Sequence, residues 1–344
     1  MASLISKLAE RKSLTEEEAY RACIEMLSGS MDPVEVSAIL MGMRVKGEDP
    51  DEIRGFLKAL RENAVKVRSR GALDIVGTGG DGLNTINAST LASIVVSSIG
   101  VPVAKHGNRG FSSIFGSADL MEALGYPIEH GAEVAEEMIE KEGFAYLYAP
   151  IYHRALKIVS PVRKKLGIRT VFNLAAPLAN PATPSIQIIG APSIEIARKL
   201  EGAIKGLGLK RYAVVTGYPG MDEVSPSGAS YIMLGMEGYK ELSIAPRDLG
   251  LQEIPVKEIS GGTREEIYEK GVRGLRGEDR SSAIFIALNA GIALYVAGEV
   301  GSIVEGFERS LKEIFEGRAW KKLESIVNTA RRLVGGWQEL RSVV

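Results

Sequence analysis

A cluster of glycine, hydroxyl, amide and carboxylate residues lies between positions 77 and 90, after a short apolar run. Glycines let backbone N–H groups converge on an anion, because they accept left-handed conformations and carry no side chain. A helix that begins directly afterwards adds unpaired N–H groups and the positive end of its dipole. These residue types predict an anion-binding loop. Its members are Gly77, Gly79, Gly80, Asp81, Gly82, Thr85, Asn87, Ser89 and Thr90.

A second polar cluster, K-H-G-N-R at 105–109, follows the next strand-like segment and leads to G-S-A-D at 116–119. Lys105 and Arg109 are natural counter-charges for phosphate. His106 is expected near the ligand, through its ring or its backbone. Because successive parallel strands end at one edge of a sheet, the two clusters are predicted to converge there. Together they predict a pocket for a multiply phosphorylated small molecule.

The first cluster also has a structural interpretation, as a tight strand-to-helix turn that needs glycine for packing. It is not a nucleotide-binding P-loop, because no Gly-Lys-Ser/Thr follows. It is a poor dinucleotide fingerprint, since Asp81 and Asn84 interrupt the glycine spacing. The density of hydroxyl groups favours anion binding.

Two further groups of charged residues could serve such a pocket. Asp222 and Glu223 are adjacent in a loop rich in glycine and proline, either solvated or turned towards one Mg²⁺ ion, which prefers oxygen ligands. Arg163 and Arg169 lie in the basic segment 153–169, where they could be solvated or could hold a substrate carboxylate bidentately. Spacing alone leaves both alternatives open for the arginines.

The composition excludes several classes of function. The chain has 344 residues, of which 45% are hydrophobic and 25% charged, and its net charge is −1. A global basic field for nucleic acid is therefore excluded. The single cysteine, Cys23, excludes disulfides and cysteine-based metal sites within one chain and fits a cytoplasmic setting. We expect neither a signal peptide, since charges come early, nor a membrane span at 91–104, which is short and interrupted.

The elements that must position these residues fall into two groups. Residues 1–67 read as helices, with start signals at Thr15 with Glu18, at Asp32-Pro33 and at Asp49-Pro50. From about residue 70, strands and helices alternate, which is typical of an α/β domain with a mainly parallel sheet. We expect a small all-helical domain, 1–67 with 160–183 packing on it, and a larger α/β domain, 68–159 and 184–344.

Individual elements of the second group can be placed from the pattern. Strands are predicted at 73–76, 101–104, 144–148, 186–189 and 212–216. Helices are predicted at 89–98, 117–124 (capped by Ser117), 133–141, 153–169, 194–207 and 282–296. Residues 173–184 read as a turn-rich segment and 229–259 as an antiparallel addition.

Several motifs in order resemble one family, the anthranilate phosphoribosyltransferases, over nearly the whole chain. Pyrimidine nucleoside phosphorylases share the architecture but carry a Lys-His-Ser-Thr loop, so Asn108 and Arg109 favour the transferases. The motifs are G-T-G-G-D-G at 77–82, N-x-S-T at 87–90, K-H-G-N-R at 105–109, G-S-A-D at 116–119, E-A-L-G at 122–125, V-R-K-x-L-G-I-R-T at 162–170 and G-M-D-E-V-S-P at 220–226.

The resemblance implies a reaction of tryptophan biosynthesis, in which the amine of anthranilate displaces pyrophosphate from C1 of phosphoribosyl pyrophosphate. It also implies two Mg²⁺ ions per subunit, a cytoplasmic location and a homodimer formed through the helical domain. Neither a membrane nor nucleic acid is expected as a partner. The surplus of apolar helix faces in residues 1–67 fits such a dimer.

The resemblance assigns roles to particular positions. Anthranilate would contact Gly77, Asn108 and Arg163, with Arg163 facing its carboxylate. Metal ligands would be Ser89 for one ion and the pair Asp222 and Glu223 for the other. No general base is implied, and Asp81 would orient or gate. Phosphoribosyl pyrophosphate would contact Gly77, Gly80, Asp81, Thr85, Asn87, Ser89, Thr90, Lys105, His106, Gly107, Asn108, Arg109, Gly110, Phe111, Ser112, Ser113 and Ser117, with Lys105–Ser113 and Ser117 in a mobile loop around the ribose phosphate.

The sequence departs from the family pattern at a few positions. Ala176 stands where a glycine is usual, Arg154 where a proline is common, and Ile114-Phe115 replace a lysine-containing loop tip. These changes leave two alternatives open: a paralogue of the same fold that binds nucleic acid or another phosphorylated ligand, or a transferase or phosphorylase with another nitrogen acceptor.

Overall fold

The computed structural model describes residues 2–69, 71–110 and 113–342. In chain order the helices are α1 (Ala2–Ala9), α2 (Glu16–Ser28), α3 (Pro33–Lys46), α4 (Pro50–Glu62), α5 (Ala88–Ser98), α6 (Ser117–Ala123), α7 (Ala132–Glu142), α8 (Ala149–Tyr152), α9 (Leu156–Leu166), α10 (Val171–Leu178), α11 (Ile194–Ile204), α12 (Val256–Ile259), α13 (Arg264–Leu275), α14 (Arg280–Ala297), α15 (Ile303–Phe315) and α16 (Arg318–Ser342). The strands are β1 (Leu73–Gly77), β2 (Val103–Gly107), β3 (Phe144–Tyr148), β4 (Ile186–Gly190), β5 (Arg211–Gly217), β6 (Ser230–Gly235) and β7 (Tyr239–Ile244).

The chain divides into two compact units. A helical unit contains the residues up to Lys66, Ala149–Pro181 and Arg198–Gly208. An α/β unit contains Val67–Tyr148, Ala182–Ala197 and the residues from Leu209 onwards. Besides the N-terminal helices, the helical unit thus contains Ala149–Pro181, which overlaps the segment 160–183 that the sequence analysis placed on it, and Arg198–Gly208.

The helical unit begins as its start signals predict. Thr15 accepts a hydrogen bond from the Glu18 N–H, and the Glu18 carboxylate accepts one from the Thr15 N–H at 2.8 Å, which forms a capping box at α2. Asp32 caps α3 by accepting from the Val34 N–H at 2.7 Å. Local capping chemistry therefore determines where these helices begin.

Two elements of the helical unit differ from the sequence prediction. The basic helix is α9 alone, because Gly167 ends it in the left-handed conformation with φ of 63°. The segment predicted as turns contains α10, with Pro177 inside the helix. Burial of Phe172 and its apolar neighbours stabilises α10 and outweighs the one hydrogen bond that the proline removes.

The α/β unit is built on a seven-stranded sheet in the order β3-β2-β1-β4-β5-β6-β7. Strands β1 to β5 are parallel, while β6 and β7 are antiparallel to their neighbours. A helical domain with an α/β domain and a mainly parallel sheet is therefore confirmed, and so is the antiparallel addition.

Strand β2 lies later in the sequence than predicted. It spans Val103–Gly107 and pairs with β3 from Val103↔Phe144 to Gly107↔Tyr148. Lys105 and His106 are consequently strand residues, whereas the sequence placed them in a loop. The apolar run that suggested 101–104 begins with Val101-Pro102, and proline is restricted to the start of a strand.

Helix α14 forms the core of the α/β unit against α5 and α15. It is long and apolar enough to cross a membrane by length and composition, but 78% of that stretch is buried inside the protein. It is therefore a core helix, as its uniformly apolar sequence predicts.

Candidate active site

Four parallel strands of the α/β unit end in glycine at the same edge of the sheet. These are β1 at Gly77, β2 at Gly107, β4 at Gly190 and β5 at Gly217. The loops that follow β1, β2 and β5 carry the polar clusters identified in the sequence. Ligands of open α/β sheets bind at this edge, so the fold places the clusters where a site is expected.

The loop after β1 is held against the loop after β5 by Asp222. The N–H of Gly79 donates to Asp222 Oδ2 at 2.6 Å, and the N–H of Thr78 donates to the carbonyl of Gly190 at 3.0 Å. A Cβ atom at Gly77 would lie 2.1 Å from Asp222 Oδ2, and one at Gly190 would lie 1.5 Å from the Asp222 carbonyl oxygen. These two glycines are thus required by close approach.

Three carboxylates converge in the described part of this edge. Oxygen atoms of Asp81, Asp222 and Glu223 lie within 4.8 Å of one another. Burial raises the pKa of Glu223 well above its usual range, and the nearby Asp222 and Asp81 raise it further, against the opposing charge of Lys105. Glu223 Oε2 is buried and has no hydrogen-bond partner among the described residues. This excess of negative charge and oxygen ligands fits a divalent cation.

Lys105 supplies positive charge from beneath this cluster. Its side chain is 2% exposed, and its Nζ donates to the carbonyl of His106 at 2.9 Å. Burial lowers its pKa, while Asp74, Glu223 and Asp222 act to raise it. Lys105 therefore lies in β2 and precedes the loop that the sequence predicted it to join.

His106 is also a strand residue with a buried ring. Its backbone N–H donates to Asp74 Oδ1 at 3.2 Å, and its side chain is 4% exposed. Asp74 itself is buried and its Oδ2 accepts from Gln187 at 3.3 Å. The interior of the sheet thus fixes the backbone on which Lys105 and His106 stand.

The charge of Arg109 in the second cluster is largely neutralised within the chain. Its guanidinium lies 3.1 Å from Asp119 and 2.8 Å from Glu122. Hydrogen bonds to Glu122, Tyr148 and Asp119 raise its pKa. A residue that the sequence identified as a phosphate counter-charge is therefore also an anchor of its own loop.

Asp119 is the centre of that anchor. Its Oδ2 accepts from the N–H groups of Gly110 at 3.1 Å and Gly116 at 2.9 Å, and Arg264 lies 2.9 Å from its Oδ1. Burial acts to raise the pKa of Asp119, but these hydrogen bonds and the cations outweigh it, so the pKa is lowered. The carboxylate is charged, and it links Gly110 near the start of the loop to Gly116 at its end.

Helix α6 is capped by Gly116, which has φ of −91°, whereas the sequence predicted Ser117. The Ser117 hydroxyl points elsewhere: it donates to the carbonyl of Asn108 at 3.2 Å and lies 2.9 Å from the hydroxyl of Tyr146. Ser117 therefore joins the two ends of the loop between Asn108 and itself.

The two loops contact each other, as the strand order predicts. Asn87, at the N-terminus of α5, donates to the carbonyl of Phe115 at 3.4 Å, and the N–H of Ile114 donates to Asn84 at 3.4 Å. In α5, Thr90 Oγ1 is buried without a hydrogen-bond partner among the described residues.

The remaining members of the first loop lie at the same edge. Gly80 has a left-handed backbone with φ of 77°, Thr85 bridges to Ser260, and Ser89 lies partly exposed in the first turn of α5. Gly110 and Ser113 belong to the second loop, and the Ser113 hydroxyl lies 3.5 Å from the carbonyl of Phe115.

Three of the predicted site residues lie outside the described part of the α/β unit. Arg163 is in α9 of the helical unit, with its guanidinium 5.1 Å from the centre of the Phe172 ring, and burial lowers its pKa. Phe111 and Ser112 lie outside the described residues.

The departures from the family pattern have defined environments. Phe115 is 7% exposed and lies under the guanidinium of Arg264, 5.7 Å from the ring centre, while Ile114 is 40% exposed. Phe115 is thus folded into the loop. Ala176 lies within α10, whose backbone an alanine adopts readily.

Sequence reasoning missed Tyr146 and Arg264, which contact the second loop from β3 and α13. Tyr146 lies in a strand pattern that predicts only burial, and Arg264 is far from Asp119 in the sequence. Asp119 was noticed only as part of a motif.

Comparison with known proteins bears on both units. The profile of the family described as "Glycosyl transferase family, a/b domain" matches residues 69–320, and that of the corresponding helical bundle domain matches residues 2–64. Anthranilate phosphoribosyltransferases of Pyrobaculum arsenaticum and Aeropyrum pernix are 47% and 46% identical to this chain. These alignments cover 96% and 95% of the chain and 98% and 96% of the relatives.

Solved structures agree with these relatives. A crystal structure of anthranilate phosphoribosyltransferase from Thermus thermophilus matches with a TM-score of 0.89 and 39% identity, over 95% of this chain and 99% of that one. The Saccharomyces cerevisiae enzyme in complex with PRPP and Mg matches with a TM-score of 0.86 and 27% identity, over 96% and 98%. The chain belongs to the anthranilate phosphoribosyltransferase family.

Proposed function

We propose that this protein transfers phosphoribose from phosphoribosyl pyrophosphate to the amine of anthranilate, with release of pyrophosphate, in tryptophan biosynthesis. The observation that carries the proposal is the cluster of Asp81, Asp222 and Glu223 beside the glycine loop after β1. It is a site for a cation and a polyphosphate together, in a chain that belongs to this enzyme family. The yeast relative has been captured with PRPP and Mg and also with 4-fluoroanthranilate.

The carboxylate cluster is assigned to Mg²⁺. Asp222 and Glu223 would hold one ion, and Ser89 would contact a second. The raised pKa of Glu223 and its unpartnered buried oxygen support a cation at this position. When bound, Mg²⁺ offsets the negative charge of the pyrophosphate group.

The glycine loop and the N-terminus of α5 would hold the pyrophosphate. Their contribution is a set of N–H and hydroxyl groups fixed before the substrate arrives, which stabilises negative charge without reorganisation. The buried Thr90 hydroxyl and the left-handed Gly79 and Gly80 support this role. The members of the set are Gly77, Gly80, Asp81, Thr85, Asn87, Ser89 and Thr90.

The second loop would hold the ribose phosphate and part of the acceptor. Lys105 contributes a fixed charge below it, while Asn108 at its exposed start is assigned to anthranilate together with Gly77. Arg163, which makes no ion pair among the described residues, is assigned to the anthranilate carboxylate. The other members are His106, Gly107, Arg109, Gly110, Phe111, Ser112, Ser113 and Ser117.

The reaction needs positioning more than proton transfer. An aromatic amine is a neutral nucleophile at pH 7, so a strong general base is not required. The residues of this chain align the amine with C1 of the ribose and stabilise the departing pyrophosphate. Asp81, whose Oδ1 accepts from the Leu83 N–H at 3.1 Å, orients its loop in this scheme.

We also propose a cytoplasmic homodimer formed through the helical unit, with the two compact units as its domains. Val34, Met41 and Val45 lie along one face of α3 and are 76%, 41% and 69% exposed. Apolar side chains with this spacing form an exposed hydrophobic stripe, which is unfavourable in water. That stripe supports a contact with a second copy of the chain.

The test is loss of anthranilate fluorescence in a mixture of protein, Mg²⁺, anthranilate and phosphoribosyl pyrophosphate. We expect anthranilate fluorescence to decay only when Mg²⁺ and phosphoribosyl pyrophosphate are also present. Pyrophosphate should be released in an amount equal to the anthranilate consumed. Folded protein that gives no decay at any substrate concentration would contradict the proposal. Other aromatic amines and free bases, run in parallel, test whether Ile114 and Ala176 have changed the acceptor.

A further inference from the structure

The hydroxyl group of Tyr146 is buried beside the site but has no role in the scheme above. Tyr146 lies in β3, is 0% exposed, and stands opposite Lys105 in the register of β2 and β3. Its hydroxyl lies 2.9 Å from Ser117 Oγ. A buried tyrosine hydroxyl normally has a partner, and here the partner is a loop residue of the proposed substrate site.

The direction of the hydrogen bonds follows from the atoms involved. A serine hydroxyl has one hydrogen, and Ser117 donates it to the carbonyl of Asn108 at 3.2 Å, because a carbonyl oxygen can only accept. Tyr146 must then donate to Ser117. The result is a directed chain, from the Tyr146 hydroxyl through the Ser117 hydroxyl to the Asn108 carbonyl.

Gly107 leaves the space in which the Tyr146 and Ser117 hydroxyl groups meet. A Cβ atom at Gly107 would lie 2.3 Å from the Tyr146 hydroxyl and 2.3 Å from Ser117 Oγ. Gly107 is at the end of β2, and its φ is not left-handed. The glycine in K-H-G-N-R is therefore required by the two hydroxyl groups that meet above it.

The far side of Tyr146 is fixed as well. Its backbone N–H donates to the hydroxyl of Tyr126 at 3.3 Å, and that hydroxyl lies 3.0 Å from His130 Nε2. The rings of Tyr126 and Tyr146 meet edge to face with centres 6.4 Å apart. The phenol of Tyr146 is consequently held by the sheet core, and burial raises its pKa, so that it stays protonated as a donor.

We propose that Tyr146 is a positioning residue that fixes the base of the loop from Asn108 to Ser117 through the Ser117 hydroxyl. The inference rests on the proposed function in so far as Asn108 and Ser117 contact substrates. By donating to Ser117, Tyr146 keeps the Ser117 hydroxyl hydrogen-bonded to the Asn108 carbonyl. This fixes the backbone from which the Asn108 side chain extends.

The experiment is a double-mutant cycle of Tyr146→Phe and Ser117→Ala in the full-length enzyme. One neutral hydrogen bond corresponds to about a fivefold change, so Tyr146→Phe is expected to lower kcat/KM for anthranilate about fivefold. In the Ser117→Ala background, adding Tyr146→Phe should change nothing further, because the link is already broken. Equal losses in both backgrounds, or unchanged kcat/KM in Tyr146→Phe alone, would overturn the proposal.

Tyr126→Phe is the matched control. It removes a hydroxyl from the same aromatic cluster but does not touch Ser117. We expect it to lower the melting temperature more than Tyr146→Phe does, since it leaves buried groups without partners. Its effect on kcat/KM should be the same with and without Ser117. If Tyr126→Phe couples to Ser117→Ala as strongly as Tyr146→Phe, the role is structural and the proposal fails.

Amide hydrogen exchange provides a measurement that does not depend on turnover. The Ala118 N–H donates to the Asn108 carbonyl at 3.1 Å and reports on the base of the loop. It should exchange faster in Tyr146→Phe than in wild type and Tyr126→Phe. Absence of turnover in wild type would reject the proposed reaction, while unchanged exchange at Ala118 would reject the role of Tyr146.

Discussion

The two loops at the edge of the sheet are built in opposite ways. The loop after β1 contributes Asp81 to a cluster with Asp222 and Glu223, and one carboxylate oxygen of the cluster is buried without a hydrogen-bond partner among the described residues. In the loop after β2, Arg109 and Arg264 pair with Asp119, and backbone N–H groups saturate the same carboxylate. The first loop thus gathers negative charge that a bound cation would offset, whereas the described part of the second loop pairs its carboxylate within the chain. Ligand-dependent stability is therefore expected from the first loop, and ligand-independent stability from the ion pairs of the second.

The largest effect should follow from neutralising the first loop. Asp222→Asn combined with Glu223→Gln is expected to lower kcat/KM by about 100-fold or more, since it removes oxygen charge from the metal and leaving-group region. A Mg²⁺ titration of the rate measures it. The exposed Glu253→Gln is the control and should leave the titration unchanged. A double variant with wild-type Mg²⁺ dependence would contradict the assignment.

The next effect concerns the space around Asp222. Gly77→Ala places a methyl group 2.1 Å from Asp222 Oδ2, so the carboxylate or the loop must move. We expect at least about a tenfold loss of kcat/KM, because reacting groups tolerate little displacement. Gly335→Ala, where a Cβ meets nothing within 4 Å, is the control and should leave the rate unchanged. Equal rates for both variants would show that the close approach has no bearing on catalysis.

The second loop should respond in stability. Asp119→Asn removes the charge that holds Arg109, Arg264 and two N–H groups, at an expected cost of about 1–3 kcal/mol in the free energy of unfolding. Glu122→Gln disrupts a more exposed ion pair with Arg109 and should cost less than about 1 kcal/mol. Urea unfolding of the metal-free protein measures both. A larger loss for Glu122→Gln would reverse the assignment of the anchor.

The smallest effect is a pH dependence of the first loop. Because the pKa of Glu223 is raised in the folded state, the metal-free fold binds its proton more tightly than the unfolded chain does. That contribution to stability is present at low pH and is lost as the pH rises through the folded pKa. Mg²⁺ must displace the same proton, so its stabilising effect should grow with pH. Melting temperatures with EDTA or Mg²⁺ between pH 5 and 8 measure this, and Glu223→Gln should flatten the difference.

The elements that local chemistry determines could be predicted from the sequence. The capping boxes at Thr15 and Asp32 and the mainly parallel sheet follow from short-range patterns, whereas the role of Asp222 and Glu223 beside the glycine loop was implied only by the family resemblance. Lys105 was misplaced because the pairing of β2 with β3 extends the strand through it. The helix at Pro177 was missed because burial outweighed the proline.

Contacts between distant residues could not be predicted. Arg264 reaches Asp119, and Tyr146 reaches Ser117, only because the sheet and α13 bring them together. No local spacing encodes such pairs. The assignment of Arg163 to the acceptor remains a prediction that depends on the family resemblance and on its lack of an ion pair among the described residues.

The four glycines that end β1, β2, β4 and β5 have a consequence for how this site can change. At each, a Cβ would lie 2.3 Å or less from another group: Asp222 at Gly77 and Gly190, Ser117 and Tyr146 at Gly107, and the Glu223 carbonyl at Gly217. Substitution of any of these four glycines by a larger residue is therefore disfavoured. A change of acceptor specificity is therefore expected from substitutions in the loops that follow these strands, so a mutational library should keep the four glycines constant and vary the loop residues.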